Sequence, residues 1–231
     1  MVSDDDIILI VGDTSWALHL QDALPDLESI GAMKGRKFII RGNHDYWWAS
    51  AKKMTDAMGD AFTFLQGHGT AVDMGDYILA LGGSRGYLCP NDVAFTPDTD
   101  QSIYARELLR MEAAFQEMEV AAKLLQEQAD KTKPNDTITA PHNTKAKGEK
   151  PIIKVALFHY PPFNDKNEPS GFTELMEHYG IEHCVFGHLH DQVSFNRIPP
   201  IFGNIQLHLV SCDYLQFTMS EVNLQNSACS K

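Results

Sequence analysis

Basic residues are scarce in this sequence: 19 Lys and Arg stand against 31 Asp and Glu, a formal charge of -12. That balance excludes nonspecific binding to DNA or RNA, because counterion release on a polyanion needs a basic face. Long apolar runs are missing too; none approaches the roughly 20 residues that span a bilayer, so no membrane partner is expected. The opening Met1-Val2-Ser3-Asp4-Asp5-Asp6 is acidic where a secretory signal is basic, which makes a cytoplasmic location the expectation. There are only 4 cysteines, Cys89, Cys184, Cys212 and Cys229. Without CxxC spacing or the density of a disulfide scaffold they read as free thiols.

What is present suits one large domain over residues 1–231, with 43% apolar residues to build a core. Ile7-Ile8-Leu9-Ile10-Val11 is a continuous aliphatic run ending in Gly12-Asp13, as expected of a strand buried on both faces. Leu18, Ala23, Leu24, Leu27 and Ile30 then recur at helical spacing before Gly31. A second short strand, Lys37 to Arg41, runs into Gly42-Asn43-His44-Asp45. Further buried runs cover Tyr77–Leu81, which ends at Gly82-Gly83, Ile152–Phe158, which ends at His159-Tyr160-Pro161-Pro162, and Cys184–Phe186, which ends at Gly187-His188. Most of these strands end in Asp, Asn or His, and an α/β sheet builds its sites at strand C-termini. One long helix is expected over about residues 99–130, on the stripe Ile103, Leu108, Met111, Phe115, Met118, Ala122 and Leu125. A polar loop is expected over about residues 131–150, where Ile138 is the one large aliphatic residue.

The polar strand ends carry the chemistry. Asp13, Asn43, His159 and His188 offer a carboxylate, an amide oxygen and two imidazoles, a donor set for a hard or borderline divalent cation. His190, two residues beyond His188, projects to the same side of an extended segment. His44 is a candidate general acid, and Asp45 beside it a candidate to orient or tune the imidazole.

In order along the chain, Gly12-Asp13, Gly42-Asn43-His44-Asp45, the lone His159 after an apolar strand, and Gly187-His188-Leu189-His190 resemble the signature of the calcineurin-like metallophosphoesterases. The longer segments Gly-Asp-Thr-Ser-Trp at 12–16, Gly-Asn-His-Asp-Tyr-Trp-Trp at 42–48 and His159-Tyr160-Pro161-Pro162 are similar to a bacterial branch of predicted phosphohydrolases. The resemblance implies an α/β (α+β) fold, a four-layer α-β-β-α sandwich of two mixed sheets. It implies hydrolysis of phosphate mono- or diesters by two divalent metal ions such as Mn, Fe or Zn, with His44 protonating the leaving group. In the family an Asp-x-His motif on a first strand completes one of the two metal sites. Here 11 residues precede Gly12 and none is a histidine, so the expectation is a chain lacking that strand. On that reading Asp13 bridges, Asn43, His159 and His188 complete the second site, and only Asp13 and His190 remain in the first. Asp4, Asp5 and Asp6 lie at the wrong end of the strand to substitute, so impaired activity is expected, with an open sheet edge beside Ile7–Val11.

Plainer readings stand beside these. Trp16, Trp47 and Trp48 are candidates to stack a substrate ring, with core packing as the alternative. Arg85 in its glycine loop is a candidate phosphate contact. The acids from Glu107 to Glu127 read as a solvated helix face, and Cys212-Asp213, with no base placed for the thiol, as core or surface. The alternatives to a phosphoesterase are a non-catalytic or mononuclear metal-binding module, and an interaction protein using the long helix.

Overall fold

The computed structural model describes residues 1–131 and 149–224. Strand β1 (Ile7–Ile10) leads through helix α1 (Leu20–Gly31) to β2 (Arg36–Ile39), and helix α2 (Ala51–Met58) leads to β3 (Phe62–Phe64). These strands form a parallel sheet in the order β1-β2-β3, with Ile7 opposite Arg36 and Lys37 opposite Phe62. Among the described residues β1 pairs with β2 alone, and all four of its side chains are half-buried.

The second sheet is mixed. β4 (His68–Asp73) turns antiparallel into β5 (Ile78–Ser84), and the long α3 (Pro97–Lys131) precedes β6 (Ile152–Phe158). Helix α4 (Gly171–His178), β7 (His183–Phe186), α5 (Gln192–Arg197), β8 (Ile201–Phe202) and β9 (Ile205–Leu209) complete it, in the sheet order β4-β5-β6-β7-β9-β8. β5, β6, β7 and β9 run parallel, so their C-terminal ends share one edge.

Three apolar layers separate four layers of structure. Ala23, Leu27, Trp47 and Met54 fill the space between the helices α1 and α2 and the small sheet. Phe38, Ile40, Leu79, Leu81, Val155 and Leu157 fill the space between the sheets. Met111, Phe115, Met118, Phe158, Phe172 and Phe186 fill the space between the large sheet and helices α3 and α4. Strand alternation distributes them: Ile39 faces one side of β2, and Phe38 and Ile40 face the other. This is the α-β-β-α sandwich, with its smaller sheet parallel throughout.

The expected helix over about 99–130 is α3, and Met111, Phe115, Met118 and Ala122 of its stripe are buried. Glu107 departs from the solvated face assigned to it: it is fully buried, accepts from Ser84 Oγ at 2.8 Å and pairs with Arg110. The third sequence run also extends further than its glycines suggested, since β5 continues through Gly82-Gly83 to Ser84. The reason is close packing: Gly69 and Gly82 are cross-strand partners under α3, and a Cβ on Gly82 would lie 2.9 Å from the Phe115 ring. The polar stretch expected over about 131–150 falls almost wholly outside the described residues, as does Cys229; Cys89, Cys184 and Cys212 are free thiols.

β7 and β9 carry a histidine pair, His183 Nδ1 lying 3.1 Å from His208 Nε2. Burial lowers the pKa of both, that of His208 to about 4 with repulsion from His183 as a second cause. The folded state holds them neutral while the unfolded chain protonates them below about 6.5. Their contribution is therefore intact above that value and is lost as pH falls toward about 4. The urea midpoint is expected to drop across this window, and to drop less in His208→Gln; equal slopes in the two proteins would dismiss the pair as the cause.

Candidate metal centre

The C-terminal ends of β1, β2, β6 and β7 meet on one side of the sandwich. A Cβ on Gly12, whose φ is 93°, would overlap the Gly42 nitrogen, and a Cβ on Gly42 would overlap Asp13 Oδ1. Glycine at both positions lets the two loops touch. Asp13 and His188 themselves hold left-handed backbone, φ 54° and 68°. Such conformations cost on the order of 1–3 kcal/mol each, and the surrounding packing must impose them.

The loops deliver acceptor atoms to one point. The Nδ1–H of His159 donates to the Val11 carbonyl at 2.8 Å, which leaves Nε2 with its lone pair. That Nε2 is 2.6 Å from Asn43 Oδ1, 3.2 Å from His188 Nδ1 and 3.4 Å from Asp13 Oδ2. His188 Nδ1 is 2.9 Å from the same Asn43 oxygen. Without a cation, the Asn43 amide can turn so that its NH₂ donates to both rings; a divalent ion would replace those donors. Burial lowers the pKa of His159 and His188 to about 4, with repulsion from His159 as the second cause for His188. Both rings are thus neutral near pH 7 and can bind a metal without first losing a proton. The carboxylate of Asp13 adds the negative charge, and the set fits a divalent cation in donor type and convergence.

Asp45 builds the floor of this centre. Its Oδ2 accepts from the backbone N–H of Asp13 at 2.8 Å and of Gly42 at 2.7 Å. Its Oδ1 accepts from Thr14 N at 2.8 Å, from the Trp47 indole at 2.9 Å and from Ser15 N at 3.4 Å. The carboxylate is fully buried and bolts the 12–15 loop to the 42–47 loop. His44 sits above it, its N–H donating to Asp13 Oδ1 at 2.8 Å. The Trp16 indole stacks on the His44 ring with centroids 4.3 Å apart and planes 12° apart, and Tyr46 meets that ring edge-on at 6.0 Å.

The family model for calcineurin-like phosphoesterases matches residues 2–192, an interval that contains every one of these loops. The chain belongs to the calcineurin-like phosphoesterase family. Sixteen solved chains are similar to it. One, a protein of unknown function from Aquifex aeolicus, is 12% identical and covers 94% of this chain and 73% of its own length, with a TM-score of 0.39. No curated protein matches the chain.

As a family member, the chain departs from the motif-based expectations at Asp45, Trp47 and His190. Asp45 spends both oxygens on N–H groups rather than on the His44 ring, so its place is structural. Trp47, a candidate substrate contact, is 2% exposed and packs with Ala23, Leu27 and Met54. Arg85 lies 3.9 Å from buried Glu107 and over the Tyr87 ring, while its carbonyl accepts from His159 N and Tyr160 N at 3.0 Å each. His190, expected beside Asp13 in the first site, is turned to Asp213, Nδ1 to Oδ1 3.1 Å. Trp16, offered by the sequence as a stack for a substrate ring, is 72% exposed and lies on the His44 ring.

Proposed function

We propose that this family member hydrolyses phosphate esters at the centre formed by Asp13, Asn43, His159 and His188, with His44 as the acid. The observation that carries the reading is the convergence of four acceptor groups from four separate strand ends. Asp13, Asn43, His159 and His188 would hold a divalent ion, which would supply charge neutralisation of the phosphoryl oxygens and acidification of a water molecule. The remaining work falls to the chain. As a water oxygen bonds to phosphorus and the ester P–O bond breaks, an imidazole N–H of His44 gives its proton to the departing oxygen. Asp13 holds the His44 backbone in place and Trp16 holds its ring. A cavity of about 280 Å³ opens beside His188, walled by Tyr87, Tyr160 and Phe163 together with the charged Asp92, Asp165 and Arg197. Its size and mixed walls suit an organic leaving group of modest bulk.

Stacking of this kind contributes about 0.5–1.5 kcal/mol beyond buried area. Trp16→Ala is therefore expected to lower kcat by about threefold to tenfold. The bound metal should not change, and steady-state kinetics with metal analysis on one sample checks both.

The function itself is tested by loading the purified chain with Mn²⁺ and measuring metal per chain beside turnover of p-nitrophenyl phosphate and bis-p-nitrophenyl phosphate. Metal-dependent turnover of either ester supports the reading. Stoichiometric metal with no turnover of either would leave a metal-binding module and sink the catalytic claim.

A further inference from the structure

Beyond β9 the chain makes a tight turn against the loop that follows β7, and the two segments bring together three unlike donors. His190, Cys212 and Asp213 each offer one ligand atom, and these atoms lie within 4.8 Å of one another. None belongs to the cluster around Asn43. Motif reading set Cys212-Asp213 aside, because nothing in sequence terms placed a partner near the thiol.

Both segments are held in place by their own bonds. In the turn, Leu215 N donates to Ser211 O at 3.0 Å and Phe217 N to Cys212 O at 2.7 Å. Asp213 Oδ1 accepts from Tyr214 N at 3.0 Å as well as facing His190 Nδ1 at 3.1 Å. On the other side Asp191 caps α5 by accepting from Ser194 N at 2.9 Å, directly after His190. Phe195 of α5 packs against Tyr214 with ring centroids 5.1 Å apart, joining the two walls. The histidine–aspartate contact alone is an ordinary surface pair. What that pair leaves unexplained is a thiol inside the same small radius.

We propose that His190, Cys212 and Asp213 form a second cation site, suited to a borderline or soft divalent ion of the zinc kind. Zinc takes thiolate at about 2.3 Å, imidazole at about 2.0–2.1 Å and carboxylate at about 2.0–2.2 Å. The present spread closes to such a shell by small rotations of His190 and Cys212, both of which are exposed. The Cys212 thiol releases its proton to solvent as the sulfur–metal bond forms. Three protein ligands leave a fourth position for water, and the thiolate disfavours magnesium and calcium. This site goes beyond the hydrolytic reading, because its donors are separate and it can fill whether or not the first centre turns over esters. His190 is nonetheless close enough to that centre for its charge to depress the pKa of His159 and of His188, so an ion here adds positive field at the same mouth.

Cobaltous ion is the probe, titrated into the reduced, chelator-free chain and followed by thiolate-to-cobalt charge transfer in the near ultraviolet. The expected result is a band that Cys212→Ser abolishes and His159→Ala, in the other centre, preserves. Because Cys212 is exposed, the serine variant should keep its thermal melting curve in the metal-free state, which separates lost binding from lost fold. A band that survives Cys212→Ser, or no band at saturating cobalt, overturns the proposal. Ester turnover without the band would remove the second site and leave the phosphoesterase reading standing. The band without turnover would do the reverse.

Discussion

Asp45→Asn is expected to lose on the order of 3–5 kcal/mol of folding stability and nearly all ester hydrolysis, although no substrate atom need touch residue 45. The carboxylate receives five N–H groups, four from backbone and one from Trp47. Each hydrogen bond to a charged acceptor contributes about 1.5–3 kcal/mol. An asparagine presents an NH₂ where one carboxylate oxygen now accepts, so it sets donor against donor at a fully buried position. Asp13 would lose the backbone anchor that holds it in left-handed geometry, and the Gly12–Ser15 loop would part from Gly42. Urea unfolding and p-nitrophenyl phosphate turnover on one preparation check the result. Had Asp45 only tuned the His44 imidazole, the variant would keep its urea midpoint and show a displaced pH–rate profile, which is the outcome that would refute the structural role.

His159→Ala is expected to weaken divalent-metal binding by at least about 100-fold and to lower turnover by about 10²–10³-fold. The ring is the hub of the centre, since its Nε2 faces Asn43, Asp13 and His188 while its Nδ1–H is fixed on the Val11 carbonyl. Removing it would take away one of the four proposed ligands and the strut that links β6 to the end of β1. The informative contrast is His44→Ala, which should slow turnover and leave metal affinity where it was, because His44 reaches the centre through its backbone N–H. Calorimetric metal titrations of both variants separate binding from proton transfer. Equal loss of metal in the two would mean that His44 is a ligand and that the acid lies elsewhere.

Much of the fold was legible because buried parallel strands announce themselves locally. Ile152–Phe158 is apolar at nearly every position and forms β6 over those same residues. The α3 stripe was legible from its 3.6-residue period. The shorter elements were not. β3 and β8 are only three and two residues long, β4 contains little apolar pattern, and His68–Asp73 is a strand because β5 supplies its ladder and α3 its cover. Glu107 was misjudged because a carboxylate on a helix is ordinarily solvated, and only its meeting with Ser84, Arg85 and Arg110 makes full burial tolerable.

The sequence by itself determined which donor groups stand at which strand ends, because a strand, the glycine that ends it and the polar residue that follows are read within a few positions of one another. Only the tertiary structure decided which of those groups face each other. Asn43 and His188 share a contact across 145 residues, Asp45 turned out to hold the loops together, Trp47 went into the core and Trp16 onto His44, and His190 found Cys212 and Asp213. A side chain's chemical type is local information. Its role depends on distances of a few ångströms between distant segments, and those are set by how the two sheets and their helices pack.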